Sequence, residues 1–154
     1  MHFKLFLENE EKNNIEAMLK KLPAKHQALV KGYKFTYQGG NTLKHDNENI
    51  GEFDPQKKCI TVAAPWHYAR EFTTLHEIGH MVWQYILDDK QRKEWHALVK
   101  KTKASQGKTL EKNARDSLNQ NAEELFCMAY GATYCKHPPI TYDQDDWFKF
   151  IKQI

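Results

Sequence analysis

The chain has 154 residues, with 23 basic and 20 acidic side chains and a net charge of +3. That length suits one domain burying ~70% of its unfolded surface, and so even a charge balance gives no case for a nucleic-acid or membrane partner. Cys59, Cys127 and Cys135 are odd in number and widely spaced, so they form neither a disulfide framework nor a zinc ribbon; the latter two read as packed thiols.

The apolar start, Met1 to Leu7, turns acidic from Glu8 to Glu11 and is too short for a signal h-region. No stretch approaches the ~18 apolar residues of a membrane-spanning helix. The cytoplasm is the expected compartment, with export by a non-classical route left open. Residues 9–31 read as helix, because Ile15, Met18, Leu19 and Leu22 recur at helical spacing. Asn13 or Asn14 is a suitable cap, and Pro23 interrupts the run ahead of a short turn from Ala24 to Val30. Tyr33 to Tyr37 alternates as a strand does. Residues 38–42 read as a loop and 43–49 as exposed polar chain. Ile50–Phe53 and Lys58–Ala63 are two strands joined by the turn residues Asp54-Pro55-Gln56-Lys57, so 50–63 is a predicted hairpin. The 58–63 strand is the candidate sheet edge for a peptide substrate adding as an extra strand; an ordinary core hairpin is the alternative.

Pro65 and Trp66 turn the chain into a helix expected from about Tyr68 to Leu87. It carries Thr73-Thr74-Leu75-His76-Glu77-Ile78-Gly79-His80-Met81-Val82, and with it the pattern H-E-x-x-H. Residues four apart share a helix face, so His76 and His80 can offer their imidazoles to one tetrahedral zinc. Glu77 is placed to take a proton from a water at that metal rather than to bind it. The pattern arises by chance in about one 150-residue chain in several hundred. The flanks count further against chance, since Thr73 precedes the first histidine by three, the intervening positions are uncharged, and Met81, Val82 and Trp83 are apolar. Gly79 costs about 1 kcal/mol of helix propensity relative to alanine, which implies that something approaches the backbone there.

Asp88-Asp89 opens a helix over about 88–104 with Trp95, Leu98 and Val99 as its apolar stripe. Its basic side chains are most simply a solvated face, and His96 reads as packed or exposed. Residues 105–108 are a break, and 109–120 a weak polar helix or loop. A catalytic zinc needs a third protein ligand and an open position. His96, His137, Asp116 and the pair Glu123-Glu124 are downstream candidates. The apolar helix beginning Asn121-Ala122-Glu123-Glu124 gives the most rigid support. Asn121 with Glu124 also fits a capping box, and acidic residues suit a first helical turn.

His76-Glu77-Ile78-Gly79-His80, followed about forty residues later by Glu123-Glu124-Leu125-Phe126-Cys127-Met128-Ala129-Tyr130, resembles the gluzincin metallopeptidases. Within them the likeness is to the group of the anthrax lethal factor catalytic domain and the bacterial Pro-Pro endopeptidases. It covers roughly residues 50–135. The resemblance implies Glu124 as third zinc ligand, with Glu123 as fallback, and a protein or peptide substrate. Two positions depart from the group's pattern. Its later helical acid falls on Met128, and its tyrosine two turns before the ligand falls near Ser117. Tyr130, Tyr134, His96 and His137 are the available substitutes for that tyrosine.

His137-Pro138-Pro139 ends the helical run, and residues 142–154 read as a closing helix with Trp147, Phe148, Phe150 and Ile151 packed inward. The expected fold is therefore α+β: one compact, zincin-like domain over 1–154, a small mixed sheet followed by a mainly helical half. The expected function is zinc-dependent hydrolysis of peptide bonds by a monomer, with His76, His80 and Glu124 on Zn2+ and Glu77 as general base. The rivals are a non-catalytic binding module whose structural zinc is closed by Cys127 or Cys135, and a toxin-like or phage-associated effector protease with one target.

Overall fold

The computed structural model describes residues 13–40, 42–43, 49–64, 67–136, 138 and 143–154, and no side-chain detail at 67–68. Helix α1 covers 13–19 among the described residues, and the first part of the expected helix, 9–12, lies outside them. Pro23 separates it from α2 (Ala24–Val30), as the missing donor of a proline predicts. Strands β1 (Lys34–Gln38), β2 (Gly51–Asp54) and β3 (Cys59–Ala63) follow. The helical half comprises α3 (His67–Tyr85), α4 (Asp89–Gln106), α5 (Lys112–Leu118), α6 (Ala122–Tyr134) and α7 (Asp145–Lys152). The expected α+β domain with a small mixed sheet is what the chain forms. No helix among the described residues is long and apolar enough to cross a membrane.

The hairpin forms as expected. Asp54 Oδ1 accepts from the backbone N–H of Gln56 (2.9 Å) and Lys57 (3.0 Å), an Asx-type turn, and β2 pairs antiparallel with β3. One expectation is overturned. The sheet order is β1-β3-β2, with β1 parallel to β3, so the 58–63 strand is central rather than an edge. Both of its ladders are taken, and it cannot accept another strand. The cause is its composition: Ile60, Val62 and Ala63 are almost fully buried, and the most apolar strand of a small sheet takes the middle place. Among the described residues, β2 is the outer strand on the side of the histidine helix.

Beneath the sheet, α3 and α6 share the largest interface between described elements. Leu75, Ile78, Met81 and Val82 of α3 meet Leu125, Phe126, Ala129 and Tyr130 of α6 in one core. Trp95 of α4 centres an aromatic cluster, with ring centroids 5.4 Å from Phe126, 5.0 Å from Trp147 and 5.5 Å from Phe150. Its indole N–H donates to Ala122 O at 2.7 Å, which ties the start of α6 to α4. Asp88 and Gln91 form a full capping box on α4. The helix expected over 88–104 thus has its start confirmed by a side-chain cap.

Gly79 marks a close approach between α3 and α6. A Cβ built there would lie 2.9 Å from Cys127 Cα and 3.3 Å from Tyr130 Cβ. Contact at 2.9 Å with helix backbone cannot be relieved by a rotamer change, so the helices must move apart. Gly79→Ala should therefore destabilise the protein by about 1–3 kcal/mol, although alanine alone favours helix by about 1 kcal/mol. Urea or guanidinium unfolding of the two proteins checks this.

Candidate functional site

The predicted ligand residues meet where α3 faces the first turn of α6. His76 Nε2 lies 2.9 Å from Glu124 Oε2, and His80 Nε2 lies 3.1 Å from Glu124 Oε1. The two imidazole centroids are 5.1 Å apart. One carboxylate thus spans the ring nitrogens of two histidines a helical turn apart. His80 Nδ1 in turn lies 2.8 Å from Glu123 Oε1. The fallback residue therefore sits on the far nitrogen of one histidine, whereas Glu124 faces the near nitrogen of both.

Several contacts hold these helices in place. Asn121 caps α6 through Oδ1, which accepts from Glu124 N at 2.8 Å. The cap predicted from the sequence is present. The Glu124 side chain reaches the histidines. On α3, Arg70 Nε donates to Ala64 O (2.9 Å), its guanidinium lies over the Tyr37 ring, and Thr74 Oγ1 contacts Tyr37 OH (3.2 Å). These contacts join α3 to the sheet just before the histidines.

Glu77 is nearly buried at 7% exposure. Burial raises its pKa above the ordinary carboxylate value, while the neighbouring charges of His76 and His80 act the other way. A base whose pKa is raised toward neutrality is better matched to proton transfer. Gly51 on β2 lies directly over it: a Cβ there would come 2.9 Å from Glu77 Oε1 and 2.8 Å from Thr73 Cγ2. The edge strand passes over the Glu77 carboxyl with no room for a side chain at Gly51. Gly51, Glu52 and Phe53 of β2, Phe72, Thr73, His76, Glu77 and His80 of α3, and Gln120, Glu124 and Met128 line a cleft of about 800 Å³ that Asn49 and Ile50 complete.

The electrostatics are those of a cation site. Desolvation alone would keep His80 neutral, but its hydrogen bonds to Glu124 and Glu123 outweigh that and raise its pKa to about 9. Hydrogen bonds from His76 and His80 hold the Glu124 carboxyl far below the ordinary range. Each imidazole–carboxylate contact needs a proton or a metal ion between nitrogen and oxygen. Two imidazoles and a carboxylate form a donor set that catalytic zinc accepts, so the residues present fit such an ion.

A fourth donor lies close by. Ligand atoms of His76, His80 and Cys127 all fall within 4.8 Å of one another. Cys127 is fully buried, and burial, reinforced by the negative charges of Glu124, Glu123 and Glu77, raises its pKa well above the ordinary thiol value. The thiol is therefore neutral where Glu124 is ionised. Cys127 and Cys135 are both buried free thiols, as expected of packed cysteines. Only Cys127 belongs to this cluster.

The suggested substitutes for the absent tyrosine lie elsewhere. Tyr130 is fully buried, with its hydroxyl 3.0 Å from His26 Nδ1. Tyr134 packs on Tyr130 at 5.0 Å, and His96 lies exposed against Trp83. Asp116 is exposed on α5 and is not part of the cleft. His137 lies outside the described residues. Gln120, beside the α6 cap, does line the cleft; its polar segment carries no pattern that singles it out. No family model, curated protein or solved structure matches this chain.

The raised pKa of His80 has a consequence for stability. A folded-state value of about 9 against an ordinary 6.5 means that its ionic contacts contribute fully below pH 6.5 and are lost as pH rises through about 9. The Tm of chelator-treated protein should fall across that window. Glu124→Gln should flatten the fall, as thermal scans of both proteins at several pH values will show.

Proposed function

We propose that the protein is a zinc-dependent peptidase. The observation that supports this best is the convergence of His76, His80 and Glu124 on one point, with Glu77 buried beside it on the wall of an open cleft. Zinc held by His76 Nε2, His80 Nε2 and the Glu124 carboxylate would supply Lewis acidity, lowering the pKa of a bound water and polarising the scissile carbonyl.

The chain's own groups supply the rest. Glu77 accepts the proton of the attacking water and delivers it to the leaving amine as the C–N bond breaks. Its burial favours the neutral form that this second transfer requires. β2 is an outer strand of the sheet among the described residues, and it lines the cleft, so a peptide can be held in extended form alongside it. Gly51 keeps that edge close to Glu77. A protein or peptide is the substrate class that this combination of edge strand and cleft suits.

One observation favours a second reading: Cys127 lies near enough to the two histidines to close a structural metal site. Cobalt substitution distinguishes the two, because a thiolate ligand adds an intense near-ultraviolet charge-transfer band that a nitrogen and oxygen site lacks. The peptidase reading predicts no such band, and a spectrum unchanged in Cys127→Ser.

Activity is tested by cleavage of a peptide library in the presence of zinc. Glu77→Gln should retain the metal and lose about 10²–10⁴-fold in rate, whereas His80→Ala should lose both metal and activity. Full zinc loading with undiminished cleavage in Glu77→Gln would contradict the mechanism.

A further inference from the structure

Glu123 and Glu124 are consecutive, yet they bracket a single ring. Glu124 Oε1 faces His80 Nε2 at 3.1 Å and Glu123 Oε1 faces His80 Nδ1 at 2.8 Å. The turn that carries both is fixed by the Asn121 cap and by the Trp95 hydrogen bond to Ala122 O. His76 differs, since the only side-chain hydrogen bond of its ring among the described residues is through Nε2. Of the two histidines, His80 alone has a carboxylate assigned to the nitrogen that points away from the cluster.

An ionised carboxylate only accepts hydrogen bonds. Nδ1 of His80 must therefore carry the hydrogen in that contact, so a metal ion that displaces the proton between Nε2 and Glu124 would meet the Nε2 lone pair. Metal-binding histidines are commonly oriented in this way by a carboxylate on the second nitrogen, and loss of that partner weakens metal affinity by about 10–100-fold. We propose that Glu123 is a positioning residue for a metal at this site: it fixes the orientation and tautomer of His80 so that Nε2 is the ligand atom. The proposal rests on the reading of His76, His80 and Glu124 as metal ligands, and it assigns Glu123 a role outside that ligand set. A simpler role, an acid complementing the dipole of α6, would affect helix stability and leave the coordination of His80 unchanged.

The test uses the full chain and zinc alone. Competition against a chelating dye measures zinc affinity for wild type, Glu123→Ala and Glu123→Gln, with far-UV circular dichroism confirming the fold of each. Glu123→Ala should bind zinc about 10–100-fold more weakly. Glu123→Gln, whose amide oxygen still accepts from Nδ1–H, should recover most of the loss. Long-range 1H–15N correlation on zinc-loaded wild type should show the hydrogen of His80 on Nδ1, a readout that does not depend on any variant folding. Affinity of Glu123→Ala within twofold of wild type, or zinc bound through Nδ1, would overturn the proposal. Wild type that fails to bind zinc, or binds it equally after His80→Ala, would instead overturn the ligand assignment on which it rests.

Discussion

The close approach of α3 and α6 at Gly79 is the constraint on which the site depends. The histidines belong to one helix and the carboxylates to another, 43 residues later by the His80–Glu123 separation. Hydrogen bonds near 3 Å between them require the two backbones to be as close as their side chains allow. Glycine at 79, set against the Cα of Cys127, permits that distance. The apolar contacts above and below it, from Leu75 to Val82 on one side and Leu125 to Tyr130 on the other, maintain it. The propensity cost of a helical glycine, about 1 kcal/mol, is offset by the packing it allows.

The same geometry accounts for the charges. His80, with its raised pKa, brings positive charge to the face of α6 where Glu123 and Glu124 occupy the first turn, and Glu77 is buried beside it. A carboxylate in a helix's first turn is already favoured by the helix dipole; here it also has imidazole partners. The cluster consequently stabilises positive charge on His80, and the same arrangement would suit the metal ion proposed at Nε2. Burial keeps the Cys127 thiol neutral, which leaves Glu124 as the ionised group nearest both histidines. The sheet contributes from above, because β3 takes the centre and leaves β2, with Gly51 over Glu77, as the half-buried outer strand lining the cleft.

Much of this was legible in the residues themselves. The i, i+4 histidines, the glycine between them, the Asn121 cap and the Asp54 turn are local features, and local chemistry determined each. The break at Pro23 and the inward face of α7 were readable for the same reason. Strand order was not, because periodicity identifies a buried strand without saying which neighbours flank it; β3 therefore looked like a plausible edge. Nor could spacing separate Glu123 from Glu124. Both project from one turn, and their division between Nδ1 and Nε2 of His80 depends on the rotation of α6 against α3, which is a tertiary property. The same holds for Tyr130, where an aromatic residue near the ligand helix suggested catalysis and is in fact committed to a buried contact with His26.

The central claim is that two histidines and Glu124 hold the metal, with the thiol of Cys127 excluded. A crystal structure of the zinc-loaded protein, with anomalous scattering recorded at the zinc edge, tests it most directly. The account predicts one strong peak about 2.0–2.2 Å from His76 Nε2, His80 Nε2 and a Glu124 oxygen, with a solvent-accessible fourth position facing the cleft. A peak coordinated by Cys127 at about 2.3 Å, or one located away from His76 and His80, would contradict it.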